Sequence, residues 1–170
     1  GGPVPADFAA AIETALRAQG RSLPSRIAIE PGRFLVSDAG WLLATVLHVR
    51  ERSGRQQVVL DAGMTELIRP ALYGASHRIF ALTGPKSGDE RTTDVEGPVC
   101  ESADSFGTYR LPRLRRGDHV AIANAGAYAA SLSSRYNGRA RPAEVFLETD
   151  GRVEVVRPST SVSEFFDSAH

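Results

Sequence analysis

The chain has 170 residues, of which 42% are hydrophobic and 24% charged, so it can bury a proper core and is not a disordered chain. Twenty basic residues balance 20 acidic ones, which argues against binding nucleic acid or an anionic membrane through bulk charge. A single Cys excludes an intrachain disulfide framework or a Cys-rich zinc site, and the absence of a long apolar run or a charged-then-apolar leader points to a soluble, cytoplasmic protein.

The first element is a helix. Phe8, Ile12, Ala15, Leu16 and Gln19 fall on helical spacing, with Asp7 near the start and Gly20 placed to end it. A linker with Pro24 leads to the apolar run at residues 26–29, which reads as a buried strand ending in Glu30-Pro31-Gly32-Arg33. Helix, strand and loop together make one α/β unit, which cannot build a sheet alone.

From Trp41 onward the texture changes. Strands are expected at residues 41–50, 57–60, 77–82, 92–99, 119–123, 143–147 and 153–156. Ser53-Gly54, Gly117-Asp118 and Asp150-Gly151 are turn signals, and the last implies a hairpin. Seven short strands at this spacing imply a β-sandwich or barrel, so the chain is predicted to be mainly β. A final helical turn is expected near residues 163–168.

Four segments carry candidate chemistry. In Glu30-Pro31-Gly32-Arg33, a carboxylate, a glycine and a guanidinium could grip a phosphorylated, nitrogen-containing cofactor, or could simply form a turn with an ion pair. Residues 61–74 read as a long irregular segment after a strand, of the kind that often carries a site. Within it Arg69 offers a fork for a carboxylate, or is a surface arginine over a loop. Gly97-Pro98-Val99-Cys100-Glu101-Ser102-Ala103-Asp104 sets the sole Cys beside an acid; a lone Cys is more often a small core residue than an acid or nucleophile. No His lies near it in sequence, so no metal site is expected. Residues 124–137 place Tyr128 where it could donate to a phosphate or anchor a turn.

Taken in order, these segments resemble the C-terminal half of the diaminopimelate decarboxylase family, one of the alanine-racemase-like, pyridoxal-phosphate-dependent decarboxylases. The resemblance runs from about Ile27 to Val145. It implies a (β/α)8 barrel followed by a β domain, so residues 1–33 would be a remnant of the cofactor-binding barrel and residues 34–170 the C-terminal β domain. It implies that Glu30 pairs with the pyridine nitrogen of pyridoxal 5'-phosphate, that Gly32 and Arg33 lie at the phosphate and distal substrate end, and that Tyr128 contacts the phosphate. Arg69 and Tyr73 would hold the distal carboxylate of the substrate, Glu101 its distal ammonium, and Cys100 would donate a proton after carbon dioxide departs. Cys100 and Glu101 would reach the active site of the other subunit, so a homodimer is implied, with a small amino acid as substrate.

The resemblance also suggests the reaction, meso-diaminopimelate to L-lysine and carbon dioxide in lysine biosynthesis. The related ornithine decarboxylases carry Asp after the Cys and lack the Ile68-to-Tyr73 segment; both features here favour diaminopimelate. One departure is Ala103, where the family has Gly. The larger one is that the family's Schiff-base lysine lies in the N-terminal part of the barrel, whereas the one lysine here is Lys86, in a polar loop that does not match that motif. The chain alone is therefore expected to be inactive. Two other readings stand beside this one: a decarboxylase of the same family with another substrate, and a non-catalytic β-domain homologue that regulates a full-length partner.

Overall fold

Alternating apolar residues, closed by turns that few residue types can make, build most of what the computed structural model shows. It describes residues 4–83 and 90–167, the last three of these by backbone alone; Lys86 lies outside the described residues. The chain divides into two units, residues 1–31 and 32–170.

In the first unit, helix α1 (Pro5–Ala18) starts with Pro5 and closes its N-terminus through Asp7, whose carboxylate accepts the Val4 N–H at 2.8 Å. It buries none of its residues. The expected strand at 26–29 is not formed: Ile27 and Ile29 are exposed, and the stretch pairs with no described strand. A parallel strand takes every ladder hydrogen bond from its neighbours, so an apolar run without them stays irregular.

The second unit is built on strands β1 (Leu42–Arg52), β2 (Arg55–Leu60), β3 (Ile79–Ala81), β4 (Arg91–Glu96), β5 (Ser105–Leu111) and β6 (His119–Ile122). They form one sheet in the order β3-β6-β1-β2-β4-β5. Ser53 and Gly54, with φ of 52° and 74°, make the left-handed two-residue turn that the twist of the β1–β2 hairpin requires. β1 has two partners. Leu42 to Thr45 pair antiparallel with β6, and the remainder pairs antiparallel with β2 across a register shift at Leu47. This bulge coils the strand and bends the sheet.

The sheet curls until its edge strands β3 and β5 approach each other, giving a nearly closed barrel. At the seam, the Tyr109 hydroxyl accepts the His77 N–H and donates to the Phe106 carbonyl at 2.9 Å. Burial pushes this phenol's pKa up, which keeps it a donor. Inside lie Val46, Val58, Leu60, Leu67, Leu114 and Ile122, all essentially inaccessible to solvent. Each such side chain contributes about 1.5–3 kcal/mol on burial. One buried amide belongs to this core: Gln56 donates to Thr93 Oγ1 (3.0 Å) and the Pro112 carbonyl (3.2 Å), and accepts the Leu114 N–H (2.9 Å).

A separate hairpin joins β7 (Glu144–Leu147) and β8 (Val153–Arg157). Gly151, at φ 85°, ends its three-residue loop, and the Glu148 N–H donates to the Arg152 carbonyl at 2.8 Å. A short helix, Val162–Asp167, follows where the final helical turn is expected. Among the described residues no helix is long and apolar enough to cross a membrane, and no cluster of His, Cys, Asp and Glu could hold a metal ion.

Candidate active site

Strand direction gathers the candidate residues. β2 and β4 run parallel, and β2 and β6 are both antiparallel to β1. The C-terminal ends of β2, β4 and β6 therefore open at the same end of the sheet. From them emerge the segments bearing Arg69 and Tyr73, Cys100 and Glu101, and Tyr128. The segment entering β1 carries Gly32 and Arg33.

The residues after β2 are more ordered than their composition suggests. Glu66, 6% exposed, accepts the Gly63 N–H (2.8 Å) and the Thr65 hydroxyl (2.9 Å) and meets the Arg139 guanidinium at 3.4 Å. This turn leads into helix α2 (Arg69–Tyr73), where an irregular segment is expected from sequence. Pro70 starts the helix, and Gly74, at φ 61°, stops it by donating to the Pro70 carbonyl. One turn of helix puts Arg69 and Tyr73 on the same face. The Arg69 guanidinium carbon lies 5.3 Å from the Tyr73 ring centre and 5.8 Å from that of Tyr128.

Tyr128 is held by a close backbone approach. Ala125 and Gly126 donate to the carbonyls of Gly40 (2.8 Å) and Ser37 (3.1 Å). A Cβ on Gly126 would collide with the Val36 carbonyl, and one on Gly40 with the Gly126 backbone, so only glycines fit here. Asn124 and Tyr128 take left-handed φ values of 61° and 68°, a conformation that costs a non-glycine residue about 1–3 kcal/mol and is tolerated where the surroundings impose it. The result sets the Tyr128 hydroxyl beside Gly32, which is itself left-handed at φ 60°. A Cβ on Gly32 would sit 3.6 Å from that hydroxyl. Arg33 follows Gly32 directly.

After β4 the chain turns sharply through Gly97 and Pro98. Cys100 is exposed rather than a core residue, and Glu101 is exposed beside it, its carboxylate 3.4 Å from the Ser102 hydroxyl. Asp104, 3% exposed, organises this turn. Its carboxylate accepts the Val99 N–H at 2.8 Å and the Met64 N–H at 2.6 Å, and its carbonyl accepts the Gly97 N–H at 2.9 Å. Side chains on Gly63 or Gly97 would collide with its Oδ1.

Gly32, Arg69, Tyr73 and Tyr128 are thus brought together. Cys100 and Glu101 stand on a neighbouring turn, with Arg33 exposed at the start of the second unit. Glu30 is exposed in the first unit. Sequence reasoning did not single out Asp104, Gly40 or Gly126. A carboxylate a few residues downstream of a Gly-Pro turn, and paired glycines flanking Trp41 and Tyr128, are the signals that could have found them.

The curled six-stranded sheet carries most of its candidate residues at one end. Residues 33–126 match the family of the pyridoxal-dependent decarboxylase C-terminal sheet domain, and the chain belongs to that family. It is 46% identical over 137 residues to the diaminopimelate decarboxylase of Methanothermobacter thermautotrophicus, covering 80% of this chain and 32% of that protein. Among solved structures, diaminopimelate decarboxylase from M. jannaschi superposes with a TM-score of 0.85 at 34% identity, over 99% of this chain and 38% of that one. The Helicobacter pylori enzyme complexed with L-lysine gives 0.79 at 35% identity, over 96% and 39%. The chain therefore spans well under half the length of the relatives it matches.

Proposed function

We propose that this chain is the C-terminal part of a pyridoxal-phosphate-dependent decarboxylase that converts meso-diaminopimelate to L-lysine and carbon dioxide. The observation that carries the reading is Arg69, whose guanidinium carbon lies 5.3 Å and 5.8 Å from the ring centres of Tyr73 and Tyr128, with the Tyr128 hydroxyl near Gly32. A cation that can read a carboxylate, near a hydroxyl that can donate to a phosphate, is what such a decarboxylase needs when its substrate carries a second carboxylate far from the reacting one.

Bound pyridoxal phosphate supplies the electron sink that takes up charge as carbon dioxide leaves. Gly32, Arg33 and Tyr128 would hold its phosphate, and Glu30 would pair with its pyridine nitrogen. Arg69 and Tyr73, with Arg33 alongside, grip the distal carboxylate, the guanidinium fork fixing its plane. Glu101 accepts from the distal ammonium. Cys100 then delivers its Sγ proton to the α-carbon that has lost its carboxylate. Residues 1–33 belong to the cofactor-binding barrel and residues 34–170 to the β domain. Cys100 and Glu101 serve the second subunit of a cytoplasmic homodimer, and this chain by itself is inactive.

The test is product formation by the full-length protein loaded with pyridoxal phosphate. Carbon dioxide and lysine released from diaminopimelate, in clear preference to ornithine or arginine as substrate, are expected. Equal turnover of substrates lacking a distal carboxylate would reject the assignment.

A further inference from the structure

We propose that Asp104 is a positioning residue that holds the Cys100–Glu101 turn and the turn leading into Arg69 as one unit. The inference rests on the functional reading above for what those turns do, but on geometry alone for how they are held. The two turns leave neighbouring parallel strands, β2 and β4, at the same end of the sheet. Between them sits a single buried carboxylate. One oxygen accepts the Met64 N–H, five residues before Arg69, and the other accepts the Val99 N–H, next to Cys100. The main chain of Asp104 closes the same turn by accepting the Gly97 N–H and donating to the Glu101 carbonyl, both at 2.9 Å.

Glycines on both neighbouring turns make room for this side chain. Gly63 and Gly97 wall it on two sides, and a Cβ on either would overlap Oδ1. A carboxylate offers only acceptors, so both N–H groups are satisfied. An asparagine has nearly the same volume but would turn an NH2 group toward one of the two N–H donors. One turn would then be released while the packing was kept. Because the cation that reads the carboxylate and the anion that reads the ammonium depend on the same clamp, the substitution acts on both ends of the distal group at once. The thiol next to Val99 shifts with them.

The experiment compares Asp104→Asn with Leu111→Val in the full-length protein. Leu111 is buried at the opposite end of β5, so its variant reports on loosened packing away from the site. Asp104→Asn is expected to lower kcat/KM for diaminopimelate at least tenfold, with KM rising and kcat falling together. Alkylation of Cys100 by iodoacetamide, followed by mass spectrometry on the peptide spanning residues 92–110, should change at least threefold in rate. Leu111→Val should leave both readouts near wild type at a similar loss of thermal stability. If Asp104→Asn matches Leu111→Val in both readouts, Asp104 only packs the turn and the proposal fails. If the wild-type protein does not decarboxylate diaminopimelate, the functional reading fails, and the alkylation rate still decides the role of Asp104. Should Asp104→Asn not fold, amide exchange in the wild-type protein decides. Slow exchange at both Met64 and Val99 supports the clamp, and exchange at either as fast as in an exposed loop overturns it.

Discussion

The Arg69 guanidinium carbon lies 5.8 Å from the centre of the Tyr128 ring, although the two residues sit on segments leaving different strands. With Tyr73 on its other contact, the cation is held by aromatic faces that leave its N–H groups free to fork a carboxylate. Arg69→Ala in the full-length protein should therefore cost about 2–5 kcal/mol of binding for a substrate with a distal carboxylate. A substrate lacking that group should lose much less. The measurement is the ratio of specificity constants for diaminopimelate and an ornithine-like competitor, wild type against variant. An equal loss for both would make Arg69 structural.

Cys100 stands exposed on its turn, where a packing role has little to act on. Cys100→Ala should lower turnover by roughly 10²–10⁴-fold while leaving the melting temperature and substrate affinity near wild type. Steady-state kinetics with a thermal melt distinguish this from the alternative, an unchanged kcat with reduced stability.

The acid limb of the stability curve should depend on Asp94. Its carboxylate accepts from Arg55 at 2.5 and 3.0 Å and from the Thr108 hydroxyl at 2.6 Å, and these bonds, the Arg55 one foremost, hold its pKa below the ordinary value. A depressed folded-state pKa adds stability that is present above the unfolded value of about 3.9 and is lost as pH falls through the folded value. Asp94→Asn should thus flatten the fall in urea midpoint below about pH 4 and have its largest effect at neutral pH. A midpoint difference between wild type and variant that does not shrink on acidification would contradict this.

Gly126→Ala tests how Tyr128 is placed. The new methyl would meet the Val36 carbonyl, and backbone cannot yield as a side-chain tip can. A destabilisation of about 1–3 kcal/mol or more is expected, with weakened pyridoxal phosphate affinity in the full-length protein as Tyr128 moves off Gly32. Chemical denaturation and a cofactor titration measure the two effects. An alanine tolerated without loss in either would mean that the two segments part easily.

Most strands were legible because their signals are local. Ser53-Gly54 and Asp150-Gly151 mark hairpin turns by backbone chemistry, and Val58 and Leu60 alternate with partly covered neighbours. β5 was missed. Gly107, at φ 103°, interrupts its alternation, and its buried residues Phe106 and Leu111 no longer share a simple period of two. β4 was expected to reach residue 99 but ends at Glu96, because Pro98 has no N–H to give a ladder. α2 carried its own start and stop in Pro70 and Gly74, but one turn is too short to show periodicity. Of the candidate site, the proposed ligand-facing residues were legible as chemical types in order. The groups that hold them were not, since the bonds of Asp104 to Met64 and Val99 and the approach of Gly40 to Gly126 exist only once distant segments meet.

The divided partnership of β1 has a consequence for how the chain folds. Its second half needs only a two-residue turn to find β2, a closure on the microsecond scale of an isolated hairpin. Its first half pairs with β6, which follows β2, β3, β4 and β5 in the chain, so that pairing closes a far longer stretch of chain. The bulge at Leu47 therefore separates a half with a local partner from a half whose partner is distant in sequence. The end of the sheet that carries the candidate site is therefore expected to assemble after the β1–β2 hairpin has committed the register.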